Sequence, residues 1–207
     1  MDVDVEGKRP RGIRTKKKLV AVAIDALVED GYVRATTTNI VARAGVSQGA
    51  LFKHFSSKNE LLAAALAELF TSLRQEFRER LNTKSGPDRV AVGLEVLWAL
   101  CHSPKLTAAF ELYLAARTDE DLSARIHPVM LAHRAASVEQ AIAVFPPQIQ
   151  AHPGLPALVA AMINMVQGAA LVSSVLPNST AAPQGLDVME RFVRGELSRL
   201  LEDLDAV

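Results

Sequence analysis

The sequence predicts an all-α protein: an N-terminal three-helix helix-turn-helix domain followed by a C-terminal helical bundle, with about nine helices in total. Three observations predict it. Apolar residues recur at helical spacing in run after run, and no strand-like alternation interrupts them. Glycine, proline and hydroxyl residues punctuate those runs where helices start and stop. The stretch 40–62, IVARAGVSQGALFKHFSSKNELL, sets three short helix signals between tight turns.

A chain of 207 residues with 49% hydrophobic residues can bury a substantial core. The single cysteine, Cys101, allows no internal disulfide and fits a reducing compartment. The opening MDVDVEGKRPRG has no apolar run behind its charges, so no secretory signal is expected and the protein is placed in the cytoplasm. The net charge of zero conceals a split. Residues 7–60 hold 11 Lys or Arg against 4 Asp or Glu, whereas residues 61–207 hold 12 against 16. The basic end is expected to meet a polyanion while the rest of the chain does something else.

Residues 1–14 carry Gly, Pro and charge without periodicity and read as a basic flexible arm, in which Arg9, Arg11 and Arg14 could reach phosphates or a minor groove. From Thr15 the positions Leu19, Val22, Ala23, Ala26 and Leu27 mark a first helix that Gly31 stops. Hydroxyls at 36–38 can cap a second helix over about 37–44, burying Ile40, Val41 and Ala44. Gly45 ends it in the left-handed conformation that a sharp turn requires, and Ser47 caps a third helix of about seven residues. Leu51 and Phe55 would anchor this helix, leaving Gln48, Gly49, Ala50, Lys53 and His54 to face outward. A helix so short must lean on its neighbours. The Gln48 amide suits an adenine edge, Gly49 and Ala50 permit close approach, and Lys53 and His54 suit phosphates. Residues 57–60, SKNE, read as a capping box opening a fourth helix that runs to about Asn82, with Leu62, Leu66, Leu69, Phe70, Leu73, Phe77 and Leu81 as its apolar stripe.

At these residues the chain resembles the DNA-binding domain of the TetR/AcrR family of bacterial transcriptional regulators. The resemblance covers 15–62, about a quarter of the chain, in the elements GY, TT, IVARAGVS, LFKHF and SKNELL. It implies that residues 47–54 enter the major groove of double-stranded DNA and that Thr36, Thr37, Lys53, His54 and Lys58 clamp phosphates. Ser47, Gln48, Gly49, Ala50 and Phe52 complete the candidate DNA-binding set. Two positions depart from the family pattern: Phe52 stands where relatives usually have Tyr, and Ala50 where they often have Thr. A hydroxyl contact to phosphate is thereby missing.

The domains are read as 15–62 and a body over 63–207 that the resemblance assigns to ligand binding and dimerisation, with the break at 85–87, SGP, as a boundary in function within the chain that follows the head. Helices are expected from Pro87, from Ser103-Pro104, and from about Asp119 to Phe145, where Pro146-Pro147 stops the last of them. From Gln140 to Leu186 there is no charged residue in 47. The core of that stretch, 157–176, has the length of a membrane span, but Asn164, Gln167, Gly168, Ser173 and Ser174 interrupt it and no basic residues flank it, so no membrane is expected. A helix without charge on any face must be buried all round, here against its own core and against a second copy of the chain. Gly168, Ala169, Val172 and Ser173, with Phe192 and Leu200 of a last helix over about 186–204, are the candidate homodimer interface. Trp98, His102, Phe110, Tyr113, Met130, His133, Asn164 and Gln167 are the candidate lining of a pocket for a small, largely apolar effector.

No HExxH pair, phosphate loop or dinucleotide glycine pattern is present, and no cofactor or metal is expected. The expectation is therefore a transcriptional regulator, most simply a repressor, that binds a palindromic operator as a homodimer and is released by the effector. A DNA-packing protein of the nucleoid, without an effector, is the alternative.

Overall fold

The computed structural model describes residues 8–84, 88–176 and 181–205, and side chains within 12–84, 88–176 and 185–204. The described residues form nine helices and no strand: α1 (Lys8–Arg34), α2 (Thr37–Ala44), α3 (Gln48–Phe52), α4 (Lys58–Thr83), α5 (Arg89–Cys101), α6 (Pro104–Ala116), α7 (Glu120–Ile142), α8 (Leu155–Val175) and α9 (Ala181–Asp205). They fall into two compact units, Met1–Thr71 with Ala108–Leu131, and Ser72–Thr107 with Ala132–Val207. The boundary expected at 62/63 lies inside α4, and so does the division between the two units at Thr71 and Ser72.

Several ends differ from the sequence reading. α1 begins at Lys8 rather than Thr15, so residues 8–14 of the expected arm are helical. Pro10 is tolerated because it lies in the first turn, where its missing N–H has no intrahelical acceptor. Gly31 does break α1, at φ 78° and ψ 171°. α3 has five residues, not seven. α5 starts after an Asp88 cap, whose side chain accepts from the Ala91 N–H, and the expected start at Pro87 lies outside the described residues with the rest of 85–87. α9 starts at Ala181, about five residues early, in a stretch without charges to stop it.

In the first unit, Leu19, Ala23 and Leu27 of α1, Ile40 and Ala44 of α2, Leu51 and Phe55 at α3, and Leu62, Leu66 and Phe70 of α4 are all buried. Leu112, Leu122 and Ile126 from the second segment are equally buried. In the second unit, α5, α8 and α9 pack on one another. α8 is long and apolar enough to cross a bilayer. Its Leu155, Leu158, Val159, Met162, Val166 and Ala170 are buried, at the spacing of one helical face. The other face, expected to pack on a second copy of the chain, is uncovered in one chain: Gly168, Leu171, Val172 and Val175 are exposed. One chain supplies α8 with one packing surface only.

Gly93 of α5 is buried, and a Cβ there would stand 2.8 Å from Cγ1 of Val144, a stiff β-branched neighbour. Overpacking of about 1–3 kcal/mol should outweigh the gain of up to about 1 kcal/mol in helix propensity. Gly93→Ala is therefore expected to lower Tm by about 2–4 °C, read by thermal denaturation; an unchanged or higher Tm means that Val144 gives way freely.

Candidate functional site

The outward end of the first unit is built by local capping. The Thr36 hydroxyl accepts from the Asn39 N–H at 3.2 Å and starts α2. Gly45, at φ 61° and ψ 38°, stops it, with the Val46 N–H reaching the Val41 carbonyl at 3.1 Å. The Ser47 hydroxyl accepts from the Ala50 N–H at 3.1 Å and starts α3. Leu51 and Phe55 then fix the inner side of α3. Outward stand Ser47, Gly49, Phe52 and Lys53, all exposed, with Gln48, Ala50 and His54 half-exposed. Phe52 is 51% exposed, a large apolar ring facing solvent. The Gln48 amide donates to the Thr38 hydroxyl at 3.3 Å, which holds it across the α2–α3 turn.

Three clusters brace this end, and the sequence reading missed them. Arg43 of α2 bridges Glu29 at 2.8 Å and Asp30 at 2.6 Å, while the Asn39 amide donates to Asp30 at 2.9 Å, so α2 is tied to the end of α1. Glu111 of α6 accepts the Tyr32 N–H at 2.6 Å and fills the space where a Gly31 side chain would stand, 2.9 Å from the missing Cβ. Asn59 of α4 donates to Asp119 at 3.2 Å and to Asp121 at 2.9 Å. Short polar residues at such sequence separations carry no periodic signal.

Lys58 was expected to face phosphate. Its ammonium instead rests 4.5 Å from the centre of the Tyr32 ring and 3.5 Å from the Tyr32 carbonyl, and partial burial holds its pKa below the usual lysine value despite the neighbouring Asp119. The expected capping box is shifted by one residue. Ser57 accepts the Glu60 N–H at 3.1 Å, but the Glu60 carboxylate returns to the Ser56 N–H at 2.6 Å and to the Ser56 hydroxyl.

The second unit encloses a cavity of about 80 Å³ between α4, α5, the start of α6, α7 and α8. Leucine, valine, phenylalanine, methionine and isoleucine side chains make most of its wall, with Phe77, Leu94, Leu97, Val144 and Met162 prominent. Of the eight candidate lining residues, His133 and Gln167 are there and six are not. Trp98 turns to α9, where a Cβ on Gly185 would meet its ring at 3.3 Å. His102 stacks on Trp98 at 4.4 Å and bonds the Trp98 carbonyl through Nδ1 at 2.8 Å. Asn164 accepts from Arg134 at 3.0 Å on the outside of α8. Phe110, Tyr113 and Met130 belong to the first unit, with Tyr113 6.4 Å from Phe70, ring to ring. Arg74, Ser137 and Gln140 line the cavity and were not anticipated. The spacing of His133, Ser137 and Gln140, four positions and then three along α7, could have grouped them on one face.

Cys101 also lines the cavity, but burial pushes its thiol up to about 12, so it stays protonated and unreactive. Among the described residues no group of His, Cys, Asp and Glu is arranged to hold a metal ion.

The dimer-interface candidates lie on an apolar surface. Val172 is 57% and Phe192 44% exposed, and Met165, Val175, Leu176 and Val188 are exposed beside them in the chain. Gly168 is exposed, and a Cβ there would have nothing within 4 Å. Ala169 and Ser173 are half-exposed, and Leu200 is half-buried, its Cδ2 2.9 Å from where a Cβ on Gly154 would stand.

Comparison with known proteins agrees with this geometry. The sequence profile of bacterial regulatory proteins, tetR family, matches residues 19–65. The chain is similar to the uncharacterized HTH-type transcriptional regulator Rv2912c of Mycobacterium tuberculosis, 31% identical over 194 residues that cover 92% of this chain and 98% of the relative. In fold it is similar to a TetR transcription regulator from Haloarcula marismortui, with TM-score 0.69 and 18% identity over 88% of this chain and 97% of that one. It is similar again to the multidrug binding protein EbrR, with TM-score 0.63 and 17% identity over 85% and 93%.

The Glu60 bonds give a pH test. The Ser56 hydroxyl first, then the Ser56 N–H, lower the Glu60 pKa below its ordinary 4.5. A depressed carboxylate contributes stability above the unfolded pKa and loses it as pH falls through the folded one. Gln keeps the acceptor without the charge. The Tm difference between the native chain and Glu60→Gln should be largest near neutral pH and shrink below about 4.5; a difference constant from pH 7 to pH 3 refutes the assignment.

Proposed function

The chain belongs to the TetR family of bacterial transcriptional regulators, and on that premise we propose that it is a repressor that binds a palindromic operator as a homodimer and is released when a small molecule enters the cavity of the second unit. Members of the family are DNA-binding regulators, not enzymes. The observation that carries the reading is the outward face of α3, where Gly49, Phe52 and Lys53 are exposed and Gln48 half-exposed on a helix whose Leu51 is buried behind them.

In the proposed complex α3 enters the major groove, Gln48 reads a base edge, and Ala50 and Phe52 make apolar contact, a thymine methyl being the natural partner. Lys53, His54, Thr36 and Thr37 hold phosphates, and Ser47 positions the start of the helix. Lys58 acts from its place under Tyr32, by adding positive charge near the start of α4 rather than by reaching out. One such helix touches few base pairs, so specificity needs a second copy related by a two-fold axis. The exposed apolar surface of α8 and α9 is the proposed place of pairing, through Gly168, Ala169, Val172, Ser173, Phe192 and Leu200. That EbrR, a fold relative, was solved with imidazole supports the idea of a small-molecule site in such a fold. Release follows by linkage if the ligand favours a state in which the two α3 helices are spaced wrongly for DNA.

Selection of bound duplexes from a random pool should return inverted repeats with half-sites about one helical turn apart. A dimer that prefers no palindrome over random duplex overturns the regulator reading. On the selected duplex, Lys53→Ala should weaken binding to all sequences alike and lower the salt slope by about one. Gln48→Ala should relax preference at one position of each half-site. Gly168→Arg meets open space within one chain, so it should leave a folded protein that sediments as a monomer and has lost operator affinity; an intact dimer moves the interface elsewhere.

A further inference from the structure

We propose that the cavity of the second unit takes a small monocarboxylate, with an alkyl or aryl body in the apolar part and the carboxylate at a polar cluster made by Arg74, His133, Ser137 and Gln140, with Gln167 a further polar group in the lining. The inference rests on the effector reading above and names the chemistry of that effector.

Four of the five polar residues meet one another: Arg74 bonds His133 and, through its carbonyl, Gln140, and the Ser137 hydroxyl lies 3.3 Å from Nδ1 of His133. His133, Ser137 and Gln140 share a face of α7, Arg74 comes from α4 and Gln167 from α8, and every other lining residue is apolar or glycine. A ligand that fills the cavity must therefore be apolar over most of its surface and polar at one end. Among the described residues Arg74 is the only one with a fixed charge in the lining, and no Asp or Glu is found there. Its Nη1 lies 3.0 Å from Nδ1 of His133. A guanidinium only donates, so Nδ1 accepts and the ring proton sits on Nε2. Burial, then the charge of Arg74, lower the His133 pKa to about 4, so the imidazole is neutral at physiological pH and supplies hydrogen bonds rather than a second charge.

The sign of the field selects the ligand. A carboxylate entering an apolar cavity loses hydration that a guanidinium can replace, since its planar fork matches two oxygens. A protonated amine meets a like charge instead. A neutral amide fills the same volume without the charge-assisted bonds. Gln167 of α8 adds a further amide to the lining. Gln140 is already engaged, donating to the Arg74 carbonyl at 2.8 Å, and so holds the arginine backbone in place. A volume of about 80 Å³ admits only a small ligand, which suits a short chain or a single ring.

Isothermal titration of the full-length protein with hexanoate and 3-phenylpropanoate, against their primary amides and against hexylamine, tests the inference. The carboxylates should bind at least about tenfold more tightly than the amides, and hexylamine not at all. Arg74→Met should weaken the carboxylates by about 10- to 100-fold and leave the amides within about threefold, and Arg74→Lys should restore part of the loss. Circular dichroism checks folding of each variant, and Gln167→Leu carries the test if Arg74→Met does not fold, weakening carboxylates more than amides. Amides or hexylamine binding as tightly as the carboxylates, equal losses for both classes in Arg74→Met, or no carboxylate binding at all overturns the proposal. Anisotropy on the selected duplex separates the two readings. A carboxylate that binds without changing DNA affinity sinks ligand release and leaves the ligand class standing; release by a neutral compound with no carboxylate binding does the reverse.

Discussion

A helix of five residues makes too few internal hydrogen bonds to offset the order it imposes on the backbone, so α3 exists only because its surroundings hold it. That constraint organises the first unit. Ser47 satisfies an orphan N–H at its start, Gly45 sets the angle at which it leaves α2, and Leu51 and Phe55 pin it from behind. With the inner side fully committed, the outer side is relieved of packing duty and is left to small and polar residues and one exposed ring. Stability is thus committed to one side of this short stretch of chain, and the other side is open for the recognition proposed for it.

What the sequence made legible was what is local. The bounds of α2 follow from Thr36 and Gly45, and the caps at Ser47, Asp119 and Ser57 follow from hydroxyl or carboxylate residues three positions before an N–H that needs them. The departures at Lys8 and Ala181 were hidden because each added stretch holds Pro and Gly, which read as breaks, although Pro10 and Pro183 fall in the first turn, where a missing N–H is tolerated. The cavity was hardly legible, because its wall depends on how helices far apart in sequence are rotated against each other. Trp98 and Asn164 look like pocket residues by type, but packing turns one to α9 and the other to Arg134. Arg74 looks like a solvated charge on a helix face and is the group that gives the cavity its sign.

The uncharged stretch around α8 shows how one composition can serve two surfaces. Its buried stripe from Leu155 to Ala170 belongs to the core of the second unit. Its other face, with Val172 and Val175, leaves more apolar surface in water than a solitary chain needs to. Ion pairs give little guidance here, since those described are exposed or half-exposed, where solvent screening leaves each little net worth.

The clasp of Glu111 on Tyr32 and Gly31 bears on how such proteins can be recombined. A reading head is commonly pictured as a contiguous N-terminal cassette that could be cut out and joined to a different body. Here the residues that complete the head include Glu111, Asp119 and Asp121, which lie in the chain beyond α4 and α5. A chimera joined anywhere in α4 would inherit Gly31 in its left-handed conformation, and Tyr32 and Asn59 with their polar groups unmet. For a graft to keep the head intact, the recipient must supply a carboxylate at each of those places, so head and body in this lineage are exchangeable only as matched sets.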